Sequence, residues 1–254
     1  MSGALREDRF RQAAKDRRTL FNAWLTLNNP FLIELIGGAG WDCVTIDQQH
    51  GAGGNDSLLG CLTAARACGL PAIVRVADND AGAIGRALDA GAQGVMCPAI
   101  ANVEDAERFV QAVKYPPRGQ RSFGPHRAHL QDDAFAAAND WTIACPQIET
   151  RGALDQLDDI LALDGVDMVC FGPSGLSLAL TGRLDSRAPE VKKAMTQVLS
   201  KCREMSVIAL VFADDLSDAK PLVADRCDVV AAGTDAGWFR QAAAQARAAA
   251  TINS

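Results

Sequence analysis

The chain has no apolar run approaching the roughly 20 residues a helix needs to cross a bilayer, so a membrane-spanning helix is not expected. It has no basic stripe either. Its 25 Lys and Arg are outnumbered by 31 Asp and Glu, for a net charge of -6. A phosphate backbone calls for clustered cations, so no nucleic-acid partner is expected. Eight cysteines include no Cys-x-x-Cys pair, which removes the common zinc and dithiol redox patterns. Linkers and low-complexity segments are absent. The basic stretch from Arg6 to Arg18 is helical in pattern and mixed with acids, without the apolar centre of a signal peptide. A soluble, cytoplasmic protein is the expectation.

What is there is the size and rhythm of one domain spanning residues 1–254, with 48% apolar residues. That length suits a single (β/α)₈ barrel and a large core. Cys43, Cys97, Cys145 and Cys170 lie in or beside predicted strands, where thiols behave as small apolar groups. Cys61 and Cys68 fall on one predicted helix. Reduced structural thiols are the expected state.

Strand and helix patterns alternate. Strands are predicted at 19–26, 42–47, 71–76, 94–98, 142–149, 166–171, 206–212 and 228–232. Several are continuous apolar runs, as parallel strands covered on both faces require. Helices are predicted at 30–38, 57–68, 80–90, 103–113, 151–163, 189–205, 214–224 and 236–249. Gly69, Gly91 and Gly165 mark helix ends. Eight such repeats fit a closed barrel, with a doubly wound open sheet as the alternative. Two long connections, Lys114 to Trp141 and Pro173 to Pro189, stand out as functional or mobile segments.

In α/β proteins of this kind chemistry gathers at strand C-termini. The second strand ends in Asp47-Gln48-Gln49-His50. This spacing suits either a hydrogen-bonded Asp47–His50 base dyad or a histidine that merely caps a turn. Arg75 closes the third strand. A guanidinium there needs an anion, which is either a substrate oxygen or a neighbouring aspartate. Glu149 closes the fifth strand in Pro146-Gln147-Ile148-Glu149-Thr150. It reads as a metal ligand, as a salt-bridge partner of Arg75, or as a cap on the helix starting near Arg151. The turn Gly172-Pro173-Ser174-Gly175-Leu176-Ser177 offers amide donors to a carboxylate. Gly233-Thr234-Asp235 reads as the start of the final helix rather than an anion site. Trp24 lines the mouth or belongs to the core. His126 and His129 read as solvated loop residues, and Arg127 and Arg183 as surface charges or as contacts for a distal carboxylate.

Together these segments resemble the HpcH/HpaI family of metal-dependent pyruvate aldolases along nearly the whole chain. The likeness is carried by Trp41-Asp42 through Asp47-x-x-His50, by Val74-Arg75, by Asp89-Ala90-Gly91-Ala92-Gln93-Gly94 with Pro98, and by Tyr115-Pro116-Pro117-x-Gly119-x-Arg121. Pro146-x-Ile148-Glu149-Thr150, Gly172-Pro173-x-x-Leu176-Ser177 and Gly233-Thr234-Asp235 complete it.

The resemblance implies a (β/α)₈ barrel with a swapped C-terminal helix, assembled as a trimer or hexamer. It implies reversible cleavage of 4-hydroxy-2-oxo acids to pyruvate, or hydroxypyruvate, and an aldehyde. A divalent metal, Mg²⁺, Mn²⁺ or Co²⁺, would hold the 2-oxo acid through its carboxylate and keto oxygens. Carried over, His50 with Asp47 is the base system, acting through water. Arg75 stabilises the enolate oxygen, and Glu149 binds the metal. Gln147 contacts metal-bound water or the aldehyde, and the amides of Ser174 and Gly175 hold the carboxylate. The family's second metal ligand is an Asp where this chain has Gly175, and Gln48 stands where a small residue is usual. Loss of one of two carboxylates weakens the expected metal binding. A catalytically impaired homologue that binds a 2-oxo acid, and an oxaloacetate-decarboxylase-type enzyme, are the alternatives.

Overall fold

The computed structural model describes residues 8–124 and 134–251. His126, Arg127 and His129 lie outside the described residues. Eight strands form the sheet: β1 Leu20–Leu25, β2 Cys43–Asp47, β3 Ala72–Arg75, β4 Gly94–Cys97, β5 Ile143–Ile148, β6 Met168–Phe171, β7 Ile208–Ala213 and β8 Val229–Thr234. Each is parallel to its sequence neighbours, and β1 pairs with β8 through Leu20↔Val229 and Phe21↔Val230. That seam closes the barrel and removes the open-sheet alternative.

Burial explains the apolar runs. Alternate residues point inward and build one core: Leu20 and Trp24 of β1, Ile73 of β3, Met96 of β4, Cys145 of β5, Cys170 of β6 and Leu210 of β7 belong to it. The residues between them pack outward against the helices in a second, larger core that includes Val44, Ile46, Val74, Val95, Ile148 and Val211. Both faces are therefore dry, as parallel strands under helices require.

The helices are α1 Arg9–Lys15, α2 Pro30–Gly37, α3 Asn55–Ala67, α4 Ala81–Asp89, α5 Val103–Val113, α6 Ala134–Trp141, α7 Arg151–Asp155, α8 Leu157–Ala162, α9 Pro173–Thr181, α10 Pro189–Met205, α11 Leu216–Ala224 and α12 Asp235–Thr251. Three differences from the sequence reading have local causes. The helix expected at 151–163 is broken at Gln156, which ends α7 and begins α8. The long fourth connection contains α6. The turn after β6 is in fact the first turn of α9, with Pro173 at its first position, where a missing N–H costs nothing. Gly182 ends α9 with φ of 69°, a left-handed cap that glycine adopts without steric cost.

At the N-terminal end of the barrel α1 acts as a plug. Phe10 and Ala13 join the inner core. Arg11 reaches Asp167, just before β6, at 2.5 Å. Asp167 also receives Lys114 Nζ at 2.8 Å, and that ammonium donates to Thr142 O and Asn139 O at 2.7 and 2.9 Å. Lys114 is fully buried, which explains why three acceptors surround it.

At the opposite side of the β8–β1 seam, α12 leaves the barrel. Trp238 is held by stacking on Trp41 at 4.8 Å and by donating to Ala232 O. Beyond it residues 239–250 are exposed, including Phe239. The seam keeps an apolar groove of about 500 Å³ lined by Phe21, Trp41, Leu216, Ala219, Val223 and Ala232. No helix among the described residues is long and apolar enough to cross a membrane. All eight cysteines are free thiols. Burial pushes Cys43, Cys97, Cys202 and Cys227 up to about 12, which suits a packing role.

Candidate active site

Because every strand runs the same way, Asp47, Arg75, Glu149 and the start of α9 all open on one rim. Asp47 and Arg75 are register partners across β2 and β3. Arg75 Nε donates to Asp47 Oδ1 at 3.0 Å, and Nη2 donates to Oδ2. Burial alone would raise the Asp47 carboxyl. The Arg75 bonds and charge, with the N–H of His50 and the indole of Trp24, outweigh burial and hold it below the ordinary carboxylate range.

Trp24 belongs to both readings made of it: it is buried, yet it forms a wall of this group. Its Nε1 donates to Asp47 Oδ2 at 3.3 Å, and the Arg75 guanidinium lies 4.9 Å from its ring centre. Phe212 packs edge-on against the same indole, 5.2 Å away, and helps hold the ring beside which the guanidinium rests.

The expected Asp47–His50 dyad takes a different form. Among the described residues the link between them is the backbone N–H of His50, which donates to Asp47 Oδ1 at 3.2 Å. Gln49 N–H donates to the same oxygen at 3.0 Å. Asp47 thus shapes the turn that carries His50, which is exposed. The physical reason is competition. Arg75 sits directly opposite in the register and offers two charged donors to the same carboxylate.

Glu149 follows β5 and is partly exposed. Its Oε1 accepts from Ala99 N–H at 2.8 Å, and its Oε2 from Gln147 Nε2 at 2.9 Å. Both bland readings of Glu149 go to other residues. Arg75 pairs with Asp47, and Thr150 caps α7 by accepting from Ala153 N–H. Ala99 holds its N–H in place from a left-handed φ of 56°, sparsely populated for alanine. Gln147 is buried, and its Oε1 has no partner. Burial raises the Cys170 thiol pKa, Arg75 lowers it and Glu149 raises it.

The Glu149 carboxylate rests on the first turn of α9. A Cβ at Gly175 would fall 2.7 Å from Oε2, and one at Gly172 would fall 2.6 Å from Gln147 Nε2. A Cβ at either position would require the Glu149 or Gln147 side chain to shift. The N–H groups of Ser174 and Gly175 stand at a helix N-terminus, where the backbone favours anions. Among the described residues no three His, Cys, Asp or Glu side chains are grouped to hold a metal. The Glu149 carboxylate accepts from two neutral N–H donors and keeps lone pairs, while the Asp47 carboxylate is taken by Arg75. The residues therefore fit a divalent ion that takes most of its ligands from elsewhere, and do not fit a closed protein site.

Asn28 and Ala99, which sequence reasoning passed over, help shape the rim. Asn28, at φ 50°, donates to Asp47 O at 2.7 Å and to Gly53 O at 3.5 Å. The His50 loop crosses so close that a Cβ at Gly51 would fall 2.0 Å from Asp47 O. Asp235, at the start of α12 as expected, also accepts from Thr26 N–H, Thr26 Oγ1 and Leu27 N–H at 2.8 to 3.1 Å. The positive φ that asparagine tolerates was the one available signal for Asn28. Nothing in residue type marked Ala99. Arg183, a surface charge or a contact for a distal carboxylate, is exposed.

The family model for HpcH/HpaI aldolase/citrate lyase matches residues 20–242. The 5-keto-4-deoxy-D-glucarate aldolase of Shigella dysenteriae serotype 1 is 30% identical over 239 residues, covering 92% of this chain and 93% of that protein. The enzyme of the same name from Citrobacter koseri is 30% identical over 246 residues, covering 95% and 96%. Among solved structures, an HpcH/HpaI aldolase/citrate lyase family protein from Burkholderia cenocepacia superposes with a TM-score of 0.89 at 28% identity, over 98% of this chain and all of that one. With the family match running through every strand and the rim residues gathered at the C-terminal face, the chain belongs to the HpcH/HpaI aldolase/citrate lyase family and is a carbon–carbon lyase.

Proposed function

We propose that this lyase cleaves 4-hydroxy-2-oxo acids reversibly to pyruvate, or hydroxypyruvate, and an aldehyde. The observation that carries the reading is the placement of Arg75, Glu149 and the α9 N-terminus on one rim of the parallel barrel. The relatives' names, which specify a keto-deoxy sugar diacid, agree with an acidic substrate.

In cleavage, the 4-hydroxyl proton passes through water to His50. The C3–C4 bond breaks, the aldehyde leaves, and the electron pair moves to the 2-oxo oxygen as an enolate. Arg75 donates to that oxygen while remaining anchored on Asp47 and Trp24. C3 then takes a proton and pyruvate forms. The amides of Ser174 and Gly175 hold the substrate carboxylate. Gln147, oriented by Glu149, faces the aldehyde end. Mg²⁺, Mn²⁺ or Co²⁺ held by Glu149 would supply Lewis-acid polarisation of the 2-oxo group when bound.

The chain works as a homo-oligomer, a trimer or hexamer, in which α12 crosses to a neighbouring barrel. An exposed helix beside an apolar groove on the same chain supports this. Truncation after Trp238 gives a smaller species by light scattering if the reading holds. Free thiols suit a reducing cytoplasm.

The direct test is deuterium exchange into the pyruvate methyl group followed by NMR, together with adduct formation from pyruvate and a short aldehyde. Exchange and adduct are expected from the native chain, and neither from Arg75→Ala. If folded protein supplied with Mg²⁺, Mn²⁺ or Co²⁺ gives neither, a silent binding homologue replaces this reading. Oxaloacetate decarboxylation without aldol addition would indicate a decarboxylase using the same enolate.

A further inference from the structure

Ser177, in the second turn of α9, is fully buried. Its hydroxyl donates to Ser174 O at 2.8 Å and accepts from Asp185 N–H at 3.2 Å. Ser174 C=O and Gly175 N–H are the two ends of one planar peptide group. A bond at the carbonyl end polarises the amide end, and each link of such a chain strengthens the next. The chain runs from Asp185 N–H through the Ser177 hydroxyl to the Ser174–Gly175 peptide, and so to any anion that the Gly175 N–H meets.

Asp185 is held from the far side. It lies in the loop that follows Gly182 and joins α9 to α10. Thr181 Oγ1 fixes the start of this loop, accepting from Arg183 N–H at 3.2 Å and donating to Ser177 O at 2.8 Å. Ser186 Oγ donates to Asp214, which follows β7. Arg187 N–H donates to Asp185 Oδ1 at 3.1 Å. The Arg187 guanidinium clasps the start of α11. Its Nε donates to Asp218 Oδ1 at 2.9 Å, and its Nη2 to Asp215 Oδ2 at 2.8 Å. Ion pairs this exposed contribute little to stability. What the clasp does is place the loop, and with it the Asp185 N–H.

Resting on the proposed grip of the substrate carboxylate by the Ser174 and Gly175 amides, we infer that Ser177 is a positioning residue that sets the strength of that grip, and that Arg187 acts through it. Neither side chain touches the reacting atoms. Affinity for the carboxylate depends on them, and the chemical step does not. An ion-pair clasp at the surface thereby adjusts substrate binding at the rim.

The test is the concentration dependence of pyruvate methyl exchange in the full-length protein with Mn²⁺ supplied. Ser177→Ala is expected to raise KM about two- to fivefold, the effect of weakening one bond to a charged acceptor when its polarising partners are lost. Its kcat should stay near the native value. Ser177→Thr keeps the hydroxyl and should restore KM. Arg187→Gln is expected to raise KM in the native chain and to add nothing to Ser177→Ala, because both act through one link. An unchanged KM, a loss confined to kcat, additive effects of the two substitutions, or no rescue by a folded Ser177→Thr overturns the inference. If Ser177→Ala does not fold by circular dichroism, KM of Arg187→Gln decides alone. Native exchange with unaltered variants removes this inference and leaves the lyase reading intact. A native chain that neither exchanges pyruvate nor binds it by calorimetry removes both.

Discussion

Arg75 and Asp47 face each other across the β2–β3 seam, and their side chains meet under the indole of Trp24. A guanidinium held by two bonds and an aromatic face keeps one direction for its remaining donors. This rigidity suits the enolate oxygen of the proposed reaction, because little reorganisation is left for the moment of reaction.

Arg75→Lys is expected to lower kcat by about 10²–10³, the loss typical of one misplaced oxyanion donor. An ammonium cannot reproduce the planar fork or the stacking on Trp24. Asp47→Asn leaves a buried guanidinium short of its anion and is expected to cost about 3–5 kcal/mol of stability. Urea denaturation with unchanged m-values measures the second effect, and steady-state kinetics the first.

The same pair sets a pH response. Asp47 titrates below the ordinary aspartate value of 3.8 in the folded chain. A lowered carboxyl stabilises the fold above the unfolded value and stops doing so as pH falls through the folded value. The Asp47 contribution is therefore full at neutral pH and disappears in the acid range below 3.8. The stability difference between the native chain and Asp47→Asn should shrink there. A difference that stays constant from neutral pH to the acid transition would contradict the pairing.

His50 stands in an exposed turn shaped by backbone bonds to Asp47. Its replacement by Gln should leave the fold intact and reduce pyruvate methyl exchange by about 10²–10⁴, the range for a positioned base. An unchanged exchange rate would assign the proton to another group.

Asn28 ties the His50 loop to β1, and Asp235 ties the Asn28 loop to α12. Asn28→Ala removes a buried donor from Asp47 O and is expected to cost about 1–3 kcal/mol. Because the loop carries His50, kcat should fall more than KM rises. Thermal melts and a kcat–KM comparison check both parts.

At the other end of the barrel, Lys114 satisfies Asp167 and two carbonyls. Lys114→Met should lower stability by about 3–5 kcal/mol while leaving the kinetic constants of the folded fraction unchanged. A selective loss of kcat would mean that the two ends of the barrel communicate.

The alternation of apolar runs with helical patterns pointed to a barrel or a doubly wound sheet, and the β1–β8 pairing decided for the barrel. A strand dry on both faces must be continuous in hydrophobicity, and eight such runs have few other arrangements. Glu149, Arg75, Gln147 and the Gly172–Ser177 stretch were legible because they end those runs, and a strand end in this architecture is a place on the rim. Sequence could not choose partners. Whether Asp47 serves His50 or Arg75 depends on which side chain stands across the seam, and the register put Arg75 there. That Gly175 is a contact surface for Glu149, rather than only a missing ligand, depends on the packing of α9 against the end of β5. Local pattern is set by periodicity along the chain, whereas charge pairing is set by distances between segments far apart in it, and only the closed barrel fixes those distances.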